Sequence, residues 1–445
     1  MLDWQTLIAQ APLGHKARNT RAASLLAGML QGHATHSHGV AAGSALASPA
    51  DTLGAYRFLD HDALSLPRLY QPLREALRQQ TATGERLYVL HDLSPVDYTR
   101  HQRKEDLCQI GDGRGYGYEL FSSLILNSAG KPLGSAVVEL RTCHGLLSSQ
   151  SESVLPFIDH YDQVERASVE VARILPGREL VHVADREFDE LRLMRTCSPT
   201  LFVFRAQHLN RQVRHGGQLL SLRHATDSVP LTEVGTVERR VGQGQQRYTV
   251  YHGETSVTLE GPSLRGVNRK RNRPKPGQPL RLRAVVTELR AVGHKTLRWI
   301  LLTNLPDSVD QVVQAYLFRW KIERLYFLCK VGFKLEDWHQ ETGERIARRL
   351  ALVQLAAMVL YELCAAEPDS PLGRLQRRLA RLGGWSGRPR DPIGPTALMR
   401  GLLRLWSAHD LLHSLGAKTI DAWCAQLKSS PVRPRPRRRR KVLIM

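Results

Sequence analysis

Tyr316, Arg319, Glu323 and Lys330 follow the spacing Y-x2-R-x3-E-x6-K inside the run AYLFRWKIERLYFLCKVG. On one continuous helix, turning about 100° per residue, the four fall on a stripe about 60° wide. One carboxylate, two cations and a phenol would then share a face. Leu317, Phe318, Trp320, Ile322, Leu325, Phe327 and Leu328 leave the rest of that helix apolar. An apolar surface nearly all round predicts burial, and buried charges require partners, a metal or a phosphate. Two further acids end apolar runs upstream, Asp92 after LYVLH and Asp185 after LVHVA. Acids at the carboxyl ends of sheet strands stand where α/β folds place their active sites. Three such carboxylates could hold two divalent ions about 3.5–4 Å apart, the arrangement for in-line displacement at phosphorus. Hard, all-oxygen ligation suits Mg²⁺. The plainer alternative is that each Asp caps the turn that follows it. Three acids together on a strongly basic chain favour the metal reading.

Composition narrows the partner. The 445 residues carry 63 Lys and Arg against 42 Asp and Glu, a net charge of +21 with a pI near 10.1. Such an excess points to a polyanion, nucleic acid or an anionic membrane. No run of about 20 apolar residues is present to span a bilayer, and MLDWQTLIAQAPLGHKAR lacks the order of a signal peptide. Nucleic acid is therefore the expected partner, no membrane is expected, and a cytoplasmic location follows. Cys108, Cys143, Cys197, Cys329, Cys364 and Cys424 lie far apart without a C-x2-C pair, so reduced thiols are expected rather than a zinc site or disulfides.

These residues need elements to hold them. Residues 1–75 read as a helical domain; beside its small-residue linker His33, His36 and His38 could bind metal, but exposed loop histidines without acidic or Cys company seldom do. From about 86 the chain reads as strands: RLYVLHD, then YELFSSLILNS and KPLGSAVVEL joined by the turn NSAGK. PFIDHYDQVERASVEVARIL is helical, ELVHVADREFD an apolar strand stopping at acids, DELRLMRTC a helix and TLFVFRA a strand. That alternation is the pattern of an α/β sheet. Between about 210 and 298 the helical signal disappears, and hairpins surround the basic loop GVNRKRNRPKPGQP. WILLTNL returns to a buried strand before one long helix over DSVDQVVQAYLFRWKIERLYFLCKVG. The expected organisation is a core over 76–345 with a β subdomain inserted at about 210–298. A helical C-terminal domain at 346–430, suited to dimerisation, and a basic tail at 431–445 complete it. Arg433, Arg435, Arg437 to Arg440 and Lys441 suit that tail to sequence-blind contacts with DNA backbone, with a solvated, nonspecific arm as the plainer alternative.

The signature helix, with ADREFD upstream and YVLHD before it, resembles the bacterial DDE transposases of the IS-four family, the Tn-five type. LGHKARNTRA and GAYRFLDH are similar to that family's N-terminal DNA-binding segment, and FVFRAQH and WILLTNLP fall in the expected places. The C-terminal part matches loosely, around RLGGW. The resemblance implies a ribonuclease-H-like catalytic core interrupted by the β insertion. It implies Asp92, Asp185 and Glu323 as catalytic residues and ligands of two Mg²⁺ ions, with Mn²⁺ as a substitute. It also implies a cut-and-paste enzyme acting on double-stranded DNA, at terminal inverted repeats and at target DNA. Nicking, hairpin formation, hairpin opening and strand transfer would use one metal site, in a homodimeric synaptic complex at the bacterial nucleoid.

By the same resemblance, Tyr316, Arg319 and Lys330 contact terminal phosphates, which suits a bidentate guanidinium and a point-charge ammonium. Trp299 matches an aromatic that receives a flipped base, where stacking recovers about 1–3 kcal/mol; a core aromatic at a strand start is the equal alternative. Arg205 belongs to the same DNA-end pocket or pairs with an acid. Trp320 lines it or simply packs. Arg269, Lys270, Arg271, Arg273 and Lys275 would contact DNA backbone without reading sequence. Asp189 could replace Asp185 as a ligand but suits the N-cap of DELRLMRTC, and Asp112 reads as a turn, since no GK[ST] follows its glycines. Two rivals stand beside a transposase: a structure-selective nuclease without strand transfer, and a non-catalytic DNA-binding relative. The three acids, the phosphate-gripping residues and the DNA-reading segment together argue against the last.

Overall fold

The computed structural model describes residues 2–30, 49–101, 103–111, 113, 115–241, 244–260, 278–388 and 391–417. Arg269, Lys270, Arg271, Arg273, Lys275, Asp112, the histidines of the small-residue linker and the basic tail lie outside them. The described chain is mixed α/β, a large mixed sheet with helices on both faces.

Seven strands, β1 to β7, make one half of the sheet. β1 (Arg86–Asp97) pairs antiparallel with β3 (Gly115–Leu126), which carries the short β2 (Cys108–Ile110) and pairs with β4 (Pro132–Thr142); β5 (Gly145–Ser148) closes that edge. On its other side β1 runs parallel to β6 (Glu179–Ala184), and β6 parallel to β7 (Leu201–Arg205). The helices His160–Ile174 and Leu191–Cys197 make the crossovers that parallel pairing requires. Beyond β7 the sheet continues through β13 (Leu297–Thr303), β12 (Leu280–Arg290) and β11 (Gly244–Leu259). β10 (Thr232–Val241), β8 (Gln212–His215) and β9 (Gln218–Ser221) pair outward from β11 or its neighbours. The hairpin stretch thus extends the central sheet through β13, and it contains one short helix, Leu222–Asp227, which the polar sequence there conceals.

Alternation along each strand sorts side chains between two cores. Tyr88, Leu90, Val183, Val203, Val285 and Leu301 face one core, shared with the N-terminal helices, the signature segment and the helix Gly343–Cys364. Leu87, Val89, Phe121, Phe202 and Phe204 face the other, under His160–Ile174. Both faces are covered, which is why the central strands read as near-continuous apolar runs. Asn19 fixes the entry to the N-terminal helices by donating to the carbonyls of Ile8, Ala9 and Ala11 at 2.7, 3.0 and 2.8 Å. The five described cysteines are free. No helix among the described residues is long and apolar enough to cross a membrane.

The signature segment is two helices. Ser308 and Gln311 form a capping box that starts the helix Val309–Leu317. At Phe318 and Arg319 the backbone tightens, with Arg319 N–H donating to Tyr316 O and Ile322 N–H to Arg319 O, both three residues back. The helix Trp320–Phe327 follows and passes into a π-turn over Leu328–Gly332. Nor is this segment buried all round: Leu317, Trp320 and Phe327 are 41%, 52% and 51% exposed. Packing against the sheet covers one side only.

Beneath the strands, on the face opposite the acids, His91 Nε2 lies 2.9 Å from His182 Nδ1, and His91 Nδ1 lies 3.0 Å from Ser123 Oγ. Burial pushes His182 down to about 4 and, with the charge of His182, holds His91 well below its ordinary 6.5. The unfolded chain takes up protons at these sites that the fold resists. Their stabilising contribution is therefore complete above about pH 6.5 and is lost as pH falls toward about 4. The urea midpoint should drop across that window, and His182→Gln should flatten the drop. An unchanged slope in the variant would assign the acid sensitivity to other groups.

Candidate functional site

The parallel register of β1 and β6 ends at His91 opposite Ala184. Asp92 and Asp185 are the next residues on the two adjacent strands, and alternation turns both toward the face that carries the signature helices. Asp92 is not at a strand end, however. β1 runs on to Asp97, paired only with β3, because Leu93 to Val96 continue the half-buried alternation. Asp185 lies one residue past the end of β6, and it caps the 3₁₀ turn Arg186–Phe188 by accepting from Arg186 N–H at 2.7 Å. Glu323 approaches both from the first turn of Trp320–Phe327.

Arg319 lies among the three acids. Its Nη1 is 3.3 Å from Asp92 Oδ2, its Nη2 is 3.6 Å from Asp185 Oδ2, and Nη2 also donates to Glu323 Oε1. Arg319 is itself buried, 7% exposed. Tyr316 Oη donates to Asp185 Oδ1 at 2.9 Å, and Arg205 Nη1 stands 3.6 Å from the same oxygen. Two acids one strand apart are thereby held differently. Burial pushes Asp92 up to about 7 against the opposing pull of Arg319, with Glu323 and Asp185 adding to the rise. Burial also acts upward on Asp185, but Arg186 N–H, Arg319, Tyr316 and Arg205 together outweigh it and hold its carboxyl low. Burial and the Asp185 carboxylate push Tyr316 up to about 12, so its phenol remains a donor.

The donor set fits a hard cation. Three carboxylates meet two guanidiniums, Arg319 facing all three and Arg205 equally near Asp185, so one negative charge is left over to attract a further cation whenever all three acids are ionised. Arg319 occupies the place between them. Accordingly, no group of three His, Cys, Asp or Glu among the described residues is drawn together tightly enough to hold a metal as it stands. Ligation by all three acids requires the guanidinium to swing aside.

Other residues singled out by sequence fall in two groups. Tyr316, Arg205 and Arg319 join the acid cluster, and Trp320 stands beside it with the Arg319 guanidinium 5.2 Å from its ring centre. Lys330 does not join it. The π-turn carries its ammonium away from the helical stripe, to the carbonyl of Pro95 and to Glu336 at 3.3 Å. Asp189 is not the N-cap of Leu191–Cys197, a position taken by Glu190. It accepts instead from Gln207 and His208 N–H at 2.7 and 2.8 Å and pairs with Arg211, ordering the loop after β7.

Next to the acids opens a cavity of about 850 Å³, lined among others by Arg205, Trp299, Tyr316, Arg319 and Trp320. His252, Thr287 and Trp299 stand in register across β11, β12 and β13 in its wall. Sequence reading passed over His252, whose Nδ1 is 2.8 Å from Asp310, and Thr287; strand pairing alone brings them to Trp299. It also passed over Tyr326, which donates to the carbonyl of Asp92 at 2.6 Å and could have been noticed one turn after Glu323.

A divalent ion on these acids would need Asp92 deprotonated. Mg²⁺ should therefore raise the melting temperature more at about pH 8 than at about pH 6, since ligation competes with the proton. Asp92→Asn should remove the difference. Equal shifts at both pH values in the wild-type chain would take Asp92 out of any metal site.

No protein-family profile matches the sequence, and no curated protein does either. The fold is similar to a chain in the cryo-EM structure of a piggyBac transposase synaptic complex with hairpin DNA. That match has 11% sequence identity and a TM-score of 0.38 over 94% of this chain and 77% of that one. A likeness so slight bears on neither activity nor site residues.

Proposed function

We propose that the chain is a metal-dependent DNA transposase of the cut-and-paste type, as its resemblance to the IS-four family implies. The observation that carries this reading is the convergence of Asp92, Asp185 and Glu323 on one guanidinium beside a basic, aromatic-lined cavity. Three antiparallel strands continued by two parallel ones, with acids on adjacent strands, support a ribonuclease-H-like core for it. Asp92, Asp185 and Glu323 would hold two Mg²⁺ ions, or Mn²⁺ in their place. Bound there, the ions supply activation of the attacking oxygen and stabilisation of the leaving one.

The chain's own residues would do the rest. Arg319, released from the acids, has the planar fork that grips a phosphate bidentately. Tyr316, a donor held against Asp185, fixes that carboxylate and can turn its hydroxyl to a phosphate oxygen. Arg205 adds charge at the same side of the cavity. Trp299 and Trp320 offer ring faces to an unstacked base. Lys330, at the foot of β1, would meet DNA backbone farther along the duplex, with Arg269, Lys270 and Arg271 as further backbone contacts. The substrate would be double-stranded DNA at paired inverted repeats and then at a target, bound by a homodimer.

A strand-transfer assay with the DNA flanking the coding sequence tests the proposal. Wild-type protein and Mg²⁺ should give cleaved ends and joined product. Asp92→Asn, Asp185→Asn and Glu323→Gln should each lower both by about 10³-fold or more, the scale of losing a principal transition-state contact, with end binding retained. Cleavage without any joined product would favour a structure-selective nuclease. Binding without cleavage by the wild-type chain would leave a non-catalytic DNA-binding protein.

A further inference from the structure

Tyr326 is buried on the helix Trp320–Phe327, one turn beyond Glu323. Its hydroxyl donates to the main-chain carbonyl of Asp92 at 2.6 Å, across a sequence separation of 234 residues. Asp92 is the first residue of β1 past its last pair with β6, so this carbonyl lies where parallel strand support has ended. We propose that Tyr326 is a positioning residue that sets the separation of Asp92 from Glu323 and so tunes the metal site those acids would form. The inference rests on the reading of the acids as metal ligands.

The physical case is one of two tethers between the same partners. Arg319 ties the start of the helix to the Asp92 and Glu323 carboxylates. Tyr326 ties the following turn to the Asp92 backbone. When Arg319 swings aside to let cations in, the carboxylate tether is released and Tyr326 remains. A slip of the helix by one residue moves side chains by about 1.5 Å along the axis and about 100° around it. Ligand geometry tolerates only about 0.5 Å. A hydroxyl fixed to the backbone of one ligand, from the helix of another, opposes that slip. Neutral Tyr326 adds no charge to the cluster, so its contribution is placement.

Calorimetric titration of the full chain with Mn²⁺ tests this without any appeal to turnover. The wild-type chain should bind Mn²⁺, and Asp92→Asn should abolish binding. Tyr326→Phe, which removes one oxygen and keeps the ring, should weaken Mn²⁺ binding by about 10–100-fold, as lost outer-shell partners do. Duplex DNA binding without metal should stay unchanged. If Tyr326→Phe lowers the unfolding midpoint but binds Mn²⁺ as the wild type does, Tyr326 only holds the fold together and the inference is overturned. If the wild-type chain itself binds no Mn²⁺, the metal-site reading fails first and takes the inference with it.

Discussion

The Arg319 guanidinium is the contact on which the site's arrangement depends. Bringing Asp92, Asp185 and Glu323 to one place sets like charges against each other in a partly buried pocket, where water screens them weakly. A single planar cation that faces all three reduces that repulsion. Arginine suits the position better than lysine, because its fork meets separate carboxylates and it stays charged when buried. The same contact locates the second signature helix over the ends of the parallel strands. Arg319 thus serves both site assembly and helix docking, with Tyr326 and the buried Ile322 and Leu325 also holding the helix.

The sheet supplies what the guanidinium cannot. Parallel pairing of β1 with β6 ends one residue before Asp92 and Asp185, so the two carboxylates start from neighbouring backbones, Asp92 within its strand and Asp185 directly after its own. Side chains carried by a sheet buried on both faces are held more rigidly than side chains on loops. Extension of the sheet through β13, β12 and β11 then builds the cavity wall beside the acids, with Arg205 and Trp299 at its near side. On the other face, the His91–His182 pair fills the layer beneath the acids with neutral polar groups that bond to each other and to Ser123.

Much of this was legible along the chain, and the misses share a physical origin. Apolar runs that stop at Asp92 and Asp185 announced strands leading to acids, and the Tyr316-to-Glu323 spacing announced a helix that brings a third. The break at Phe318 was illegible because a tightened turn needs neither Gly nor Pro. Uninterrupted helix formers hid it, and only packing of Phe318 and Arg319 against the sheet reveals it. An unbroken wheel places Lys330 on the stripe of Glu323, but the π-turn shifts everything after Leu328. Asp189 resembled an N-cap, as any Asp before a helix does, until the loop after β7 folded back onto its carboxylate.

Local pattern determined what spacing and polarity can encode: the basic balance of the chain, the alternation of strands and helices, and the three acids worth following. Those are properties of neighbours within a turn or a strand. Tertiary structure alone decided that Arg319 faces all three acids, that the hairpins extend one sheet, and that Tyr326 meets Asp92. Each of these joins residues far apart in the chain, and no local preference encodes which distant partner a side chain will reach once the sheet has closed around it.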